Sequence, residues 1–178
     1  SFTYNLVHLL EELNCEVVMK FNDEIHLDEV NEFHKILLSP GPGIPEDAGL
    51  MNEIILKYAS TKSILGICLG MQAIGQVFGG NLINLDKVYH GISTKINLTV
   101  ENEYLYKGLN SEITVGRYHS WAVNSPLPDS LEITSLDEFG NIMSLRHKKF
   151  DVRGVQFHPE SHMTPTGSKL IRNWLFNS

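Results

Sequence analysis

Residues 63–80 read SILGICLGMQAIGQVFGG, and the change of rhythm inside them decides the fold. Ser63 to Ile67 is a short apolar run, as suits a strand buried on both faces, where strict alternation is not needed. Residues 69–78 read as an amphipathic helix, and Gly79-Gly80 is a good C-terminal stop. A buried strand that runs straight into a helix is half of a crossover unit. The signature has a counterpart upstream. Residues 35–39, KILLS, form another short apolar run ended by Pro40 and Gly41, and residues 50–59 form an amphipathic helix. Residues 16–19 read as a short strand, followed by a polar stretch around 22–29. At the start, Phe2, Leu6, Leu9, Leu10 and Leu13 recur at helical spacing, with Ser1 or Thr3 as N-cap. The first half therefore runs helix, strand, strand, helix, strand, helix, which predicts a parallel sheet with crossover helices. A buried strand should feed the first helix in such an alternation, so an N-terminal truncation is expected; a fold that begins with this helix is the alternative.

The second half changes character. Residues 95–100, 113–123, 131–136, 142–147 and 152–157 are alternating or short apolar runs separated by turn residues, and Gly140-Asn141 predicts a hairpin between the third and fourth. Residues 166–176 close with a helix whose Leu170, Ile171, Trp174 and Leu175 mark one face. No repeat or linker interrupts the pattern, which predicts one domain over 1–178, α/β first and mostly β afterwards.

Composition bounds the function. The 178 residues are 42% hydrophobic, enough for a sizeable single core. A net charge of −7 repels phosphate backbones and anionic lipid, which argues against nucleic acid or a membrane surface as the main partner. No apolar run approaches the roughly 20 residues of a membrane span. Two cysteines, Cys15 and Cys68, are too few for a disulfide framework, so a reducing cytoplasm is the expected location.

Chemistry enters through Gly66-Ile67-Cys68-Leu69-Gly70, a G-x-nucleophile-x-G elbow between strand and helix. A sharp strand-to-helix turn lifts the nucleophile out of the sheet, and side chains two residues before or after it would strike neighbouring backbone. The helix N-terminus points its positive end at the sulfur and favours thiolate. Taken alone, the motif fits equally well a small buried structural cysteine. A thiol nucleophile needs a histidine to take its proton and a carboxylate to orient that histidine. His158 follows the apolar run 152–157, Pro159 stiffens the turn, and Glu160 can accept a hydrogen bond from the imidazole. His8, His26, His34 and His147 read as surface residues. Together, Cys68, His158 and Glu160 favour catalysis over the structural reading. The loop Ser39-Pro-Gly-Pro-Gly-Ile-Pro45 follows a buried strand at the same sheet edge; the N–H of Gly41 with that of Leu69 makes a sensible oxyanion hole, and Gln72 is one turn into the elbow helix. His158 and His162 are four apart, but Pro159 lies between them and no third ligand is in sequence reach, so no metal site is expected.

SFTYNL, SPGPGIPEDAG, LGICLGMQAIG, YHGIST, RYHSWAV and GVQFHPESHMTPTG, in this order along essentially the whole chain, resemble the class I glutamine amidotransferases. More narrowly they are similar to the glutaminase subunits of the chorismate-using synthases, with the anthranilate branch of tryptophan biosynthesis preferred over the 4-aminobenzoate branch, and both over a free-standing γ-glutamyl hydrolase. The resemblance implies a flavodoxin-like three-layer α/β/α sandwich in which a central, mostly parallel sheet carries an added antiparallel portion. It implies a γ-glutamyl thioester on Cys68, His158 as base and then acid, Glu160 as its orienter, and oxyanion contacts from Gly41 and Leu69. Gly43, Gln72 and the backbone of Ser120 and Trp121 are implied to hold the amino-acid end of glutamine. No cofactor is implied in this subunit, with Mg expected only on a partner, a separate chorismate-binding synthase subunit in a heterodimer or heterotetramer. The sequence departs from the family in two places: it lacks the strand of the type LIDNYD before SFTYNL, and Ile92 stands where relatives commonly carry Lys after His90-Gly91.

Overall fold

The apolar runs become strands of one sheet in the computed structural model, which describes residues 2–21, 23–39 and 49–177. Seven described strands stand in the order β1-β2-β7-β6-β5-β3-β4, with β1 Lys35–Leu38, β2 Ser63–Ile67, β3 Leu82–Leu98, β4 Glu112–Val123, β5 Leu131–Asp137, β6 Ile142–His147 and β7 Val152–Val155. β1, β2 and β7 are parallel, and every pairing from β7 outward through β6, β5, β3 and β4 is antiparallel. The sheet is thus mixed, parallel at the end that the first half of the sequence builds. Helix α2 (Met51–Tyr58) connects the parallel strands β1 and β2, as a crossover must.

Helices cover both faces. From α1 (Phe2–Glu12) and α4 (Gly167–Leu175), Leu6, Leu10, Leu170, Ile171 and Trp174 pack on Leu65, Ile67, Val115 and Phe157. On the other face Ile54 and Ile55 of α2 and Met71 and Ile74 of α3 (Leu69–Val77) pack on Leu38, Ile64 and Val152. Ile64 and Leu65 are adjacent yet belong to opposite layers, because successive strand side chains alternate faces. Two covered faces are the reason the β2 sequence runs unbroken in apolar residues.

Three expectations change. Residues 16–19 alternate in burial, with Val17 and Met19 half-buried and Glu16 and Val18 exposed, but they form no ladder with any described strand. The alternation was legible; a neighbouring backbone to pair with is a tertiary matter. β3 is far longer than the predicted 95–100, because its first part is held as a ribbon against β4, through Leu82–Asn84 and Tyr89–His90 on either side of a register shift, rather than by an apolar pattern of its own. The polar stretch after residue 22 ends in a 3-10 helix, Leu27–Glu32. The hairpin at Gly140-Asn141 forms, with Asp137 Oδ1 accepting from the N–H groups of Phe139 and Asn141. β1, β2 and β7 end on one edge of the sheet, and Cys68 and His158 follow the last two of them.

Candidate active site

The elbow is built by two close approaches. A Cβ on Gly66 would lie 2.5 Å from the carbonyl carbon of Gly70, and one on Gly70 would lie 2.6 Å from the carbonyl oxygen of Leu38. Neither glycine has room for a side chain, so the chain turns from β2 into α3 within one residue. That residue is Cys68, forced to φ +55° and ψ −103°, a backbone conformation that a residue with a side chain rarely holds. The Cys68 N–H donates to the Val155 carbonyl of the neighbouring β7 at 2.8 Å, which ties the elbow to the strand that delivers the histidine.

His158 is nearly fully buried, with 1% of its surface exposed. Its N–H donates to Gly116 O at 3.0 Å, and its carbonyl accepts from Thr164 Oγ1 at 2.7 Å, so the main chain is clamped to β4. The ring packs against Phe2 at 4.4 Å and Tyr118 at 5.0 Å. Nδ1 meets Glu160 Oε1 at 2.5 Å. A carboxylate only accepts, so this bond places a proton on Nδ1. Nε2 is buried without a hydrogen-bond partner among the described residues.

The sulfur is not in the state that the helix N-terminus alone suggested. Burial pushes the Cys68 thiol up to about 12, and the hydrogen bond from the Leu69 N–H only partly offsets it. A buried anion without a cation beside it is costly, and the Glu160 charge adds to that cost. The resting sulfur is therefore a thiol: it donates to Tyr118 O at 4.0 Å, accepts from Gln156 Nε2 at 3.5 Å, and makes no hydrogen bond to His158.

Gln72, one turn into α3, is 3% exposed and its Nε2 donates to Trp121 O at 3.0 Å and to Gln156 Oε1 at 3.2 Å. The predicted residues Cys68, Leu69, Gln72, Trp121, His158 and Glu160 thus lie in one contact network, and Ser120 stands next to Trp121 on β4. Gly41 and Gly43 fall outside the described residues. Among the described residues no group of three His, Cys, Asp or Glu is placed to hold a metal. Gln156 was unassigned in the sequence, although it sits in the quoted unit QFHPES. Arg117 and Asp137, a buried ion pair at 2.9 Å, had no local signal at all. His147 is buried rather than on the surface: its Nδ1 accepts from the N–H groups of Lys149 and Phe150 and closes the turn after β6. Ile92 stands at a register shift of β3 opposite Arg117.

A strained cysteine on a strand-to-helix elbow, with a buried His–Glu pair just after the adjacent parallel strand, can serve acyl transfer through a thioester. The family model for glutamine amidotransferase class-I matches residues 1–178. The chain belongs to the class I glutamine amidotransferases. This amidotransferase is 43% identical to anthranilate synthase component 2 of Cyanophora paradoxa over 98% of this chain and 93% of that one. It is 42% identical to aminodeoxychorismate synthase component 2 of Klebsiella aerogenes, over 98% and 94%. In three dimensions it matches a candidate GMP synthase chain from Thermoplasma acidophilum with a TM-score of 0.88 at 27% identity, covering 98% of this chain and 87% of that structure. As a glutamine amidotransferase it is an enzyme. Among the described residues no helix is long and apolar enough to cross a membrane.

Proposed function

We propose that this amidotransferase is the glutaminase subunit of anthranilate synthase and that Cys68, His158 and Glu160 carry its chemistry. Glutamine enters beside β4. The Cys68 thiol gives its proton to His158 Nε2 as Sγ attacks the side-chain amide carbon, so thiolate forms only together with the new bond. The oxyanion accepts from the N–H groups of Leu69 and Gly41. His158 returns the proton to the amide nitrogen, ammonia leaves, and a γ-glutamyl thioester remains on Cys68. Water, deprotonated by the same His158, releases glutamate and restores the thiol. Glu160 holds the imidazole tautomer throughout and stabilises the imidazolium. Gly43, Gln72 and the Ser120–Trp121 backbone hold the amino-acid end of glutamine. The observation that carries this reading is the buried 2.5 Å bond between His158 and Glu160, with the opposite ring nitrogen buried and unpartnered among the described residues.

Ammonia released into neutral water becomes ammonium, which is no nucleophile. The product therefore passes to an acceptor site on a separate chorismate-binding synthase subunit, which holds any Mg the complex uses, and docking of that subunit speeds glutamine hydrolysis by completing the site. The similarity to the Cyanophora paradoxa anthranilate synthase component 2 supports the tryptophan branch. The aminodeoxychorismate branch is the second reading, favoured by the similarity to the Klebsiella aerogenes protein. Identification of the product made with the synthase partner separates them: 2-aminobenzoate for the first, aminodeoxychorismate for the second. Cys68→Ala should abolish glutamine-dependent synthesis and spare synthesis from added ammonia. Loss of both activities in a correctly folded complex would make Cys68 structural, and equal glutaminase rates with and without the partner would remove the proposed coupling.

A further inference from the structure

We propose that the buried Arg117–Asp137 pair is a positioning device for the glutamine site: Arg117 fixes the tautomer of His119, and His119 then holds the Ser120–Trp121 backbone. The inference rests on the reading that this backbone receives the amino-acid end of glutamine.

The pair is far from an ordinary surface bridge. Both side chains are 1% exposed, and Arg117 Nη1 donates to Asp137 Oδ2 at 2.9 Å. A buried ion pair is a poor source of stability compared with apolar residues of the same volume, so its presence calls for a geometric role. Arg117 Nε donates to His119 Nε2 at 3.1 Å. A guanidinium has no acceptor, so Nε2 must offer its lone pair and the imidazole proton sits on Nδ1. That proton points at Trp121 O, 2.9 Å away. The plane of the imidazole is fixed as well: Tyr89 stacks on it at 5.3 Å and 13°, and Arg117 Cζ lies 3.5 Å over the same tyrosine. Burial and the Arg117 charge drive His119 down to about 4, so it stays neutral and keeps this single tautomer through the physiological range.

A second observation shows why Trp121 needs such support. Along β3 and β4, Asn84 pairs with Trp121 and Tyr89 with His119, and the register shifts between them. Ser120 falls in that break, where the β3–β4 ladder assigns it no opposite residue. Side chains reinforce the edge of that break: His119 Nδ1–H and Gln72 Nε2 both donate to Trp121 O, which orients the 120–121 segment. Arg117 touches neither glutamine nor the reacting atoms in this scheme; it acts through His119.

The test uses the complex with its synthase partner and three variants: Arg117→Met, Arg117→Lys and Asp137→Asn. Lysine reaches Asp137 and keeps the charge, but it has no N–H at the Nε position to meet His119. Binding of ground and transition states should weaken alike, so the Met and Lys variants should raise the glutamine KM about tenfold with kcat changed by less than about threefold. Imidazole 15N shifts of His119 should move from the pure Nδ1–H form toward a mixture. Asp137→Asn, which frees the guanidinium to tilt, should raise KM by a smaller factor. Restoration of KM and of the wild-type tautomer by Arg117→Lys, together with melting temperature, would show that the pair serves stability alone and overturn the proposal. Should Arg117→Met fail to fold, the Lys and Asn variants carry the same decision. A tautomer shift in a protein whose wild type hydrolyses no glutamine would sink the functional reading and leave the geometry of the relay standing.

Discussion

Gly66→Ala puts one methyl group at the point where β2 meets the start of α3. Its carbon would sit 2.5 Å from Gly70 C, 2.6 Å from Gly70 O and 2.8 Å from Ile74 Cδ1. Carbon pairs rest at about 3.5–4.0 Å, so the main chain at Gly70 must retreat by roughly 1 Å. The strand cannot retreat in its place. Gly66 is paired with Leu38 on one side and with Gly154 on the other, so β2 is held between β1 and β7. The movement falls on the first turn of α3, which carries Leu69 and the backbone of Cys68. Overpacking of this kind costs about 1–3 kcal/mol. For a chain of this length, that loss lowers the melting temperature by about 2–4 °C per kcal/mol. Catalysis should suffer more than stability, since a 1 Å misplacement of a reacting group costs about 100-fold. Glutamine-dependent kcat/KM in the partner complex should therefore drop about 100-fold while the protein still melts cooperatively and the partner still uses added ammonia. The assay pairs thermal unfolding with coupled detection of glutamate. A Gly66→Ala protein with wild-type melting temperature and wild-type glutaminase would refute the argument that backbone contact at Gly70 enforces the elbow.

Two further outcomes follow from single residues. At Cys68, strain at positive φ costs of order 1–3 kcal/mol, while glycine elsewhere in a buried site loses about 0.5–1 kcal/mol of chain entropy relative to alanine. Cys68→Gly should therefore be as stable as Cys68→Ala or slightly more so in urea unfolding; an ordinary deficit for the glycine variant would mean the elbow is unstrained. His119 is held at about 4 by burial, against 6.5 for an unhindered imidazole. Below pH 6.5 the unfolded chain takes up a proton that the folded protein refuses, so a contribution of about 3 kcal/mol present above pH 6.5 is lost as the pH falls toward 4. Urea midpoints should fall over that range, and a His119 ring proton that titrates near 6.5 in the folded protein would contradict it.

Local information was enough for the elements that the site hangs on. The run SILGI, the stop at Gly79-Gly80 and the hairpin at Gly140-Asn141 each specify their own conformation through side-chain pattern or turn chemistry, with no need of distant partners. Cys68 and its flanking glycines were legible for the same reason, since the steric demand of the turn acts within five residues. His158 and Glu160 were legible as a pair because they are two residues apart on one chain segment. The long ribbon of β3 was not, because its first part has no strand pattern and the pairing that holds Asn84, Tyr89 and His90 comes from β4.

Residue order and pattern were sufficient for the α/β opening, for the elbow cysteine, for the His158–Glu160 pair, and for the resemblance through which Ser120 and Trp121 entered. The electrical state of those groups came from packing. The same helix start that favours a Cys68 thiolate in isolation lies in a buried pocket beside Glu160, and desolvation outweighs the helix, leaving a thiol. Arg117 and Asp137 are twenty residues apart, on β4 and at the end of β5, and meet only because antiparallel β3 lies between those strands. Their link to His119 and Trp121 exists in no stretch of sequence, since burial and hydrogen-bond direction arise only when the strands are stacked side by side.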